Sequence, residues 1–415
     1  MRVCFVSRRY FPAISGMSVY AKNLLHELVT AGHDVTMVSQ YRSDPFGTAV
    51  YGGGPPPPVA GVKVIGLEAM GEQGREGRQP GDFERDIDAM VDAIAAEHAG
   101  RPFDILHAQY GYPTGWAALL ASRRLGIPNV VSIQGGDGHW VGSCCETHRL
   151  AMTRVLDHAG AVLIGGRSFA EEVSGRLGTD PGRFTIVPGA VATGRFHPAA
   201  ETRPTQEEGP VRLLYHGRVD RRKGALDLLD ALAFLAVRHV PFRATISGIG
   251  PDVEACRARA AGLGLGPPAL VFTGYADYGA VPDLYRHADV FVSPTHAEGF
   301  SNTILEAMAS GLAIVSCRAV GVVDCLTDGR DALLTEPGDV PALADALESL
   351  IRNPALRHRL AGAALVECRR TYSWAIVAGR IMEVYGRLAG TRPDVAFSPD
   401  LPMAPCRFRA EPHLL

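Results

Sequence analysis

The 415-residue chain predicts an α/β protein built as two doubly wound domains, each a parallel sheet with helices on both faces. Three observations lead there. Short apolar runs alternate with stretches of helical period along most of the chain. The length exceeds one ordinary hydrophobic core and suits two, and a hydrophobic content of 47% can fill both. Several apolar runs end in glycine-rich or charged loops that open helices, which is where open α/β sheets bind ligands.

The elements follow in order. A strand over 2–7 leads through Arg8–Gly16 into a helix over 17–31, closed by Gly32, and a second strand covers 35–39. Gly16 fits either a close backbone approach or a left-handed turn. Residues 42–61 and 70–82 are rich in glycine, proline and polar groups, and read as exposed loops around a strand at 62–67; Tyr51-Gly-Gly-Gly-Pro-Pro-Pro-Pro58 can be neither helix nor central strand. Asp104-Ile-Leu-His107-Ala-Gln109 is a strand entering a polar–aromatic loop. Val130-Val-Ser-Ile-Gln134 is another, followed by Gly-Gly-Asp137-Gly-His139. His107 and His139 fit a satisfied structural histidine as well as a ligand contact. Runs at 162–165 and 184–187 read as the last strands of the first domain, 1–198. A charged, proline-containing connection at 199–210 opens the second, 199–371.

In the second domain the strand 212–216 runs into Gly217-Arg218-Val-Asp220-Arg-Arg-Lys223-Gly224. Strand, basic loop, helix suits a phosphate, with Arg218 as a two-pronged fork and Lys223 as a point charge; a solvated basic turn uses the same residues. Ile246-Ser-Gly248 and Val271-Phe-Thr-Gly274 are further strand ends. The densest stretch is Ser293–Gly311. A strand over 289–293 crosses a small-residue loop into a short helix that Ser301 or Asn302 can cap. Thr303 and Glu306 have capping-box spacing, and Gly311 is placed to stop the helix. Glu298 then lies at the helix N-terminus with Gly299, Phe300, Ser301, Asn302 and Thr303, and Glu306 lies about one turn inside. Such an end attracts anions and hydroxyls, and a carboxylate beside it suits a ligand carrying both hydroxyl donors and phosphate acceptors. By spacing alone the two glutamates fit chance more readily than a site. Helices at 340–352 and 355–370 follow, then a final helix over 372–390 and a proline-bearing tail, 391–415, expected to be disordered.

Bulk properties narrow the function. With a formal charge of −3, nothing suggests a general nucleic-acid binder. The eight cysteines are scattered apart from Cys144-Cys145, none in a C-x-x-C or Cys/His pattern of metal spacing; they read as reduced thiols of a cytoplasmic protein, and no metal is expected. No stretch approaches the ~20 apolar residues of a membrane span, and Met1–Ser7 lacks a signal peptide's apolar region. Peripheral contact with the inner membrane face carries no sequence mark and stays open.

The string Glu298-Gly-Phe-Ser-Asn-Thr-Ile-Leu-Glu306-Ala-Met-Ala-Ser-Gly311 resembles the E-x7-E signature of the retaining glycosyltransferases of family 4, which have the GT-B fold. Gly217-Arg218 through Lys223-Gly224 resembles that family's phosphate loop. Asp104–Gln109 resembles its D-x-x-H-x-H stretch, with Gln109 at the second histidine. Gln134 likewise stands where many relatives carry histidine. The resemblance covers roughly residues 1–390. It implies two Rossmann-like domains facing across a cleft, with the C-terminal helix crossing back onto the first domain.

The resemblance also implies that a nucleotide sugar, such as a UDP- or GDP-sugar, is held mainly by the second domain. A glycosyl group then passes to a hydroxyl acceptor (lipid-linked, glycan or small molecule) with retention, without a cofactor. In that reading Glu298 faces the donor sugar and Glu306 the ribose hydroxyls, while Arg218 and Lys223 hold the diphosphate. Gly16, Gly217 and Gly248 lie along the donor, and with Gln134 in place of histidine, Asp137 and then His139 become the ionisable candidates near the sugar. Two other classes use the same fold: an epimerase or phosphorylase, and a sugar-nucleotide-binding protein without catalysis. The intact set Glu298, Glu306, Arg218 and Lys223 argues against the last, and no pyridoxal-binding lysine signature supports a phosphorylase.

Overall fold

The computed structural model describes residues 1–43, 52–71, 81–199 and 209–406. The chain divides into two compact units, Met1–Pro188 with the chain from Trp374 onward, and Gly189–Ser373. Parts of the expected loops (44–51 and 72–80), most of the expected connection (200–208) and the last residues (407–415) lie outside the described residues.

The first unit is built on β1 (Arg2–Ser7), β2 (Asp34–Tyr41), β3 (Val62–Glu68), β4 (Ile105–Gln109), β5 (Asn129–Ile133), β6 (Ala161–Ile164) and β7 (Phe184–Ile186), in the order β3-β2-β1-β4-β5-β6-β7. Every pairing between them is parallel. β1, β4 and β5 are buried along their whole length, the pattern of a sheet covered on both faces. The helices are α1 (Gly16–Thr30), α2 (Asp82–Gly100), α3 (Trp116–Leu125), the single turn α4 (Gly136–His139), α5 (Glu146–His158) and α6 (Arg167–Leu177).

The second unit carries β8 (Val211–His216), β9 (Phe242–Ser247), β10 (Leu270–Gly274), β11 (Val290–Ser293), β12 (Ala313–Cys317) and β13 (Leu333–Thr335), in the order β10-β9-β8-β11-β12-β13. Its helices are α7 (Ala225–Val237), α8 (Val253–Gly262), α9 (Val281–Arg286), α10 (Asn302–Ala309), α11 (Val340–Arg352) and α12 (Pro354–Thr371). The last helix, α13 (Trp374–Leu388), belongs to the first unit: Trp374 packs edge-on against Tyr20 at 5.0 Å, and the Tyr385 hydroxyl meets His107 Nδ1.

These strand orders decide where ligands can bind. The order reverses between β1 and β4 in the first sheet and between β8 and β11 in the second. Loops at the carboxyl ends of those strands diverge and leave a crevice. In the second unit the loops are 217–224 and 294–301, the two motifs singled out from sequence.

Three expectations change. The segment after Gly189 joins the second unit earlier than residue 199, because Val191 donates to Tyr372 O at 2.8 Å and Phe196 lies in that unit's core. The tail is not disordered over 391–406. It has no helix or strand, yet Arg123 donates to Phe397 O at 2.7 Å, Phe397 is buried beside Trp116, and Ala404 N donates to Thr147 Oγ1 at 3.0 Å. The Thr303–Glu306 capping box does not form: Ser301 occupies the N-cap position of α10 without a side-chain cap bond, and Glu306 turns to Tyr285 instead. Gly311 does end this helix, at φ +72°, with Leu312 N donating to Ala307 O.

Gly224 sits at φ +68°, and a Cβ there would meet Pro294 O at 1.9 Å. Gly224→Ala is expected to destabilise the protein by at least about 2 kcal/mol, the left-handed strain plus the clash. Gly362→Ala, inside α12 with nothing near its Cβ, should be neutral or stabilising by about 0.5–1 kcal/mol. Urea midpoints of the two variants check this; equal midpoints would remove the close approach as the reason for Gly224.

Candidate active site

In the second unit, β8 leaves the sheet at His216 and turns at Gly217, φ +142°. Asp220 caps the following turn, its Oδ1 accepting from Lys223 N at 3.0 Å. Asp220 Oδ2 accepts from Arg218 Nε at 2.9 Å and from Arg222 at 3.2 Å, so one buried carboxylate orders a loop of four basic residues. The Lys223 ammonium leaves this loop for the neighbouring one, reaching Glu298 Oε1 at 2.6 Å and Ala297 O at 3.4 Å. The two loops are also tied by His296 N donating to Arg222 O at 2.8 Å. The predicted basic loop and the first glutamate of the signature are therefore in direct contact.

Close backbone contact locks this end of the sheet. A Cβ on Gly248 would lie 1.8 Å from Gly217 O, and one on Gly321 would lie 2.2 Å from Glu298 O. Glu298 N donates to Val320 O at 3.0 Å, while Phe300 packs against Tyr372 at 5.7 Å. Asn302 and Thr303 form the first turn of α10, whose leading N–H groups have no partner within the helix.

Glu306 faces inward. Its Oε2 accepts from the fully buried Tyr285 hydroxyl at 2.8 Å. Burial pushes the Glu306 carboxyl up to about 7, against the lowering effects of the Tyr285 hydroxyl and of Arg195. His216, whose Nδ1 lies 3.3 Å from Ser247 Oγ, is pushed down to about 4 by burial and is neutral. In the sequence Asp220 is a member of the basic loop with no role of its own, and Tyr285 belongs to no motif. Tyr285 stands 21 positions before Glu306, and only the packing of α9 beside α10 joins them.

In the first unit the strand-end loops are organised by Asp137. It is fully buried; Oδ1 accepts from Gln134 N at 3.1 Å and Gly135 N at 2.9 Å, and Oδ2 from Gly111 N at 2.8 Å. Burial raises its pKa, and the backbone hydrogen bonds oppose that. Asp137 was expected to face a sugar; its carboxylate is instead enclosed, clasping the loops after β4 and β5. Gln134 and Gln109 bond to each other: Gln109 Nε2 donates to Gln134 Oε1 at 2.8 Å and to Met17 O at 2.9 Å. His139 Nδ1 lies 2.8 Å from Glu172 Oε1, while Nε2 is buried with no hydrogen-bond partner. His107 is structural: buried between Tyr385 and Ser132, it is lowered to about 3. Gly16 is the first residue of α1, after a Ser15–Ser18 capping box.

Taken together, the second unit has the makings of a nucleotide-binding α/β domain: a basic strand-end loop, a helix N-terminus and an inward carboxylate. Family models agree. A model described as glycosyl transferases group 1 matches residues 210–353, and one described as a glycosyl transferase 4-like domain matches 15–190. The chain is 27% identical to a glycogen synthase of Mycobacterium tuberculosis, over 97% of this chain and 98% of that one. It is 26% identical to D-inositol 3-phosphate glycosyltransferase 2 of Catenulispora acidiphila, over 90% of each. A solved sucrose-phosphate synthase of Thermosynechococcus elongatus shares the fold with a TM-score of 0.76 and 22% identity, covering 93% of this chain and 98% of that one. The chain belongs to the family 4 type of glycosyltransferases and has the GT-B fold; it is an enzyme that transfers a sugar from a nucleotide-sugar donor. No described helix is long and apolar enough to cross a membrane.

The raised Glu306 pKa has a thermodynamic consequence. A carboxyl more basic folded than unfolded stabilises the fold less as pH rises from about 4.5, its ordinary value, to about 7. Glu306→Gln removes that loss. The variant should match the wild type near pH 4.5 and exceed it in melting temperature near pH 8; a difference independent of pH would exclude the burial cost.

Proposed function

We propose that Arg218, Lys223 and the first-turn amides of α10 receive the donor's diphosphate, that Glu306 accepts hydrogen bonds from the ribose hydroxyls, and that Glu298 contacts the transferred sugar. The observation that carries this reading is the 2.6 Å contact between Lys223 and Glu298, which unites the basic loop and the E-x7-E stretch at one strand-order reversal. Ion pairing also keeps the Lys223 ammonium aimed before a phosphate arrives.

The charge that develops in the reaction sits on the departing diphosphate. Preorganised cations and amides stabilise it as the glycosidic bond breaks, so turnover needs no added divalent ion. The leaving phosphate oxygen takes the proton of the attacking hydroxyl, and attack from the same face gives retention. This needs no general base from Gln134, whose neutral amide cannot take a proton. Asp137 is a positioning residue in this reading, holding the loops that carry Gln134 and His139. His139 Nδ1 is committed to Glu172 and its Nε2 is buried, so the ring belongs to the same positioning layer. The acceptor is a hydroxyl compound; relatives named for glycogen and for an inositol phosphate both imply polyhydroxylated acceptors.

Glu306→Gln should weaken nucleoside diphosphate binding by at least about tenfold, since hydrogen bonds to a charged group contribute about 1.5–3 kcal/mol. Wild-type affinity should rise with pH through about 7 as the carboxyl ionises, and the variant should show no such rise. Calorimetry across pH measures both, and unchanged affinity removes Glu306 from the ribose. Arg218→Ala and Lys223→Ala should each lower kcat at least about a hundredfold, roughly 2.7 kcal/mol, with melting temperature nearly unchanged. Activity that depends on added Mg2+ or Mn2+ would overturn the electrostatic account.

A further inference from the structure

In the first unit, Cys144, Cys145, His148 and Cys406 each bring one ligand atom into a cluster in which all four lie within 4.8 Å of one another. Three come from the start of α5, where Cys145 is the N-cap. The fourth comes from the end of the described tail. Cys144 Sγ is 3.0 Å from His148 Nδ1, and Cys406 Sγ is 3.5 Å from the same atom. Cys145 Sγ accepts the His148 backbone N–H at 3.4 Å. His148 is fully buried, its ring 4.5 Å from that of Tyr112, and its other nitrogen, Nε2, has no hydrogen-bond partner.

Two simpler readings fit less well. Cysteines that merely pack are usually buried, as Cys4, Cys256, Cys317, Cys325 and Cys368 are here. The three cluster cysteines are the chain's half-buried ones, and an imidazole nitrogen faces two of them. A disulfide to Cys406 would use one of the adjacent pair, strand the other and leave the histidine without a role. Tetrahedral zinc uses all four. With Zn–S of about 2.3 Å and Zn–N of about 2.0–2.1 Å, ligand atoms stand roughly 3.4–3.8 Å apart. The cluster brackets that separation, so small side-chain shifts close it. The charge also balances. Three thiolates and Zn2+ leave one negative charge, and the buried Arg8 guanidinium acts on His148. Arg176 acts on Cys144 and donates to Ser143 Oγ at 3.1 Å.

We propose that Cys144, Cys145, His148 Nδ1 and Cys406 form a structural zinc site that pins the C-terminal tail to the first unit. Binding releases three thiol protons to solvent and leaves the imidazole neutral, with its proton on Nε2. All four positions are filled by the protein, so the site is closed and does no chemistry. It accounts for a tail without helix or strand that nevertheless follows a defined path, and it anchors the loop containing Tyr112.

The test is independent of glycosyl transfer. Full-length protein dialysed free of loose metal should retain about one zinc per chain by elemental mass spectrometry. Replacement by Co2+ should give the absorption of a tetrahedral thiolate site. Cys406→Ser, a change in the coil tail, should lose the retained metal, and proteolysis of the tail should accelerate in that variant and in chelated wild type. Metal-free protein with all eight thiols reactive after denaturation overturns the proposal. So does protein in which two thiols appear only after reduction, which indicates a disulfide. Should the variant misfold, the wild-type zinc content and cobalt spectrum decide alone.

Discussion

The second unit depends on peptide backbones touching where side chains would normally separate them. Gly224 lies under Pro294 O, Gly248 under Gly217 O, and Gly321 under Glu298 O, each without room for a Cβ. These contacts draw the loops after β8, β9, β11 and β12 together at one end of the sheet. Only then can a lysine from one loop reach a glutamate from another at 2.6 Å. The glycines therefore act on function through distance. They make the crevice at the strand-order reversal narrow enough for charged groups on separate loops to meet one another.

The first unit reaches a similar result by another route. Its loops after β4 and β5 are joined by a buried carboxylate that accepts backbone N–H groups from both. Tyr110 sits there at φ +82°, a conformation that a bulky residue adopts only when its surroundings enforce it. Its backbone N–H donates to Ser132 O at 2.9 Å, and its carbonyl accepts from Gly115 N at 2.9 Å and from the Thr114 hydroxyl. The Gln109–Gln134 bond then spans the same two strand ends. Two neutral amides paired in this way tolerate no proton transfer, which distinguishes the loop from one carrying histidines.

What was legible in the sequence was what lies close along the chain. The alternation of strands and helices, the basic loop at 217–224 and the stretch 298–311 are local, and each lies where the period and the turn residues put it. What could not be read depends on distant residues meeting. Tyr285 takes the Glu306 carboxylate away from the Thr303 capping box, because a buried acid gains more from a hydroxyl than from an N-cap amide that solvent can serve. Asp137 looked like a free acid because the amides that fill it come partly from Gly111, 26 positions earlier. Cys406 has no metal-site spacing with Cys144, since 258 positions separate it from His148. The tail's composition suggested disorder for the same reason: Phe397 and Arg123 find each other only in the fold.

Asp137 and Glu306 show why a perturbed acid is not by itself a site. Burial raises the pKa of both. A carboxylate can accept about four hydrogen bonds. Asp137 takes backbone N–H groups from Gly111, Gln134 and Gly135, and none of its surface is exposed. Its acceptor capacity is nearly used, so a ligand would gain little from it. Glu306 accepts the Tyr285 hydroxyl and keeps part of its surface accessible. Desolvation has been imposed on it while most of its acceptor capacity remains unused. In the proposed reading, a ligand that donates hydroxyl hydrogens would relieve that imbalance and so convert burial cost into binding energy. Unused acceptor capacity, rather than the size of the shift, separates an acid able to receive a ligand's hydroxyls from the acid that holds a loop.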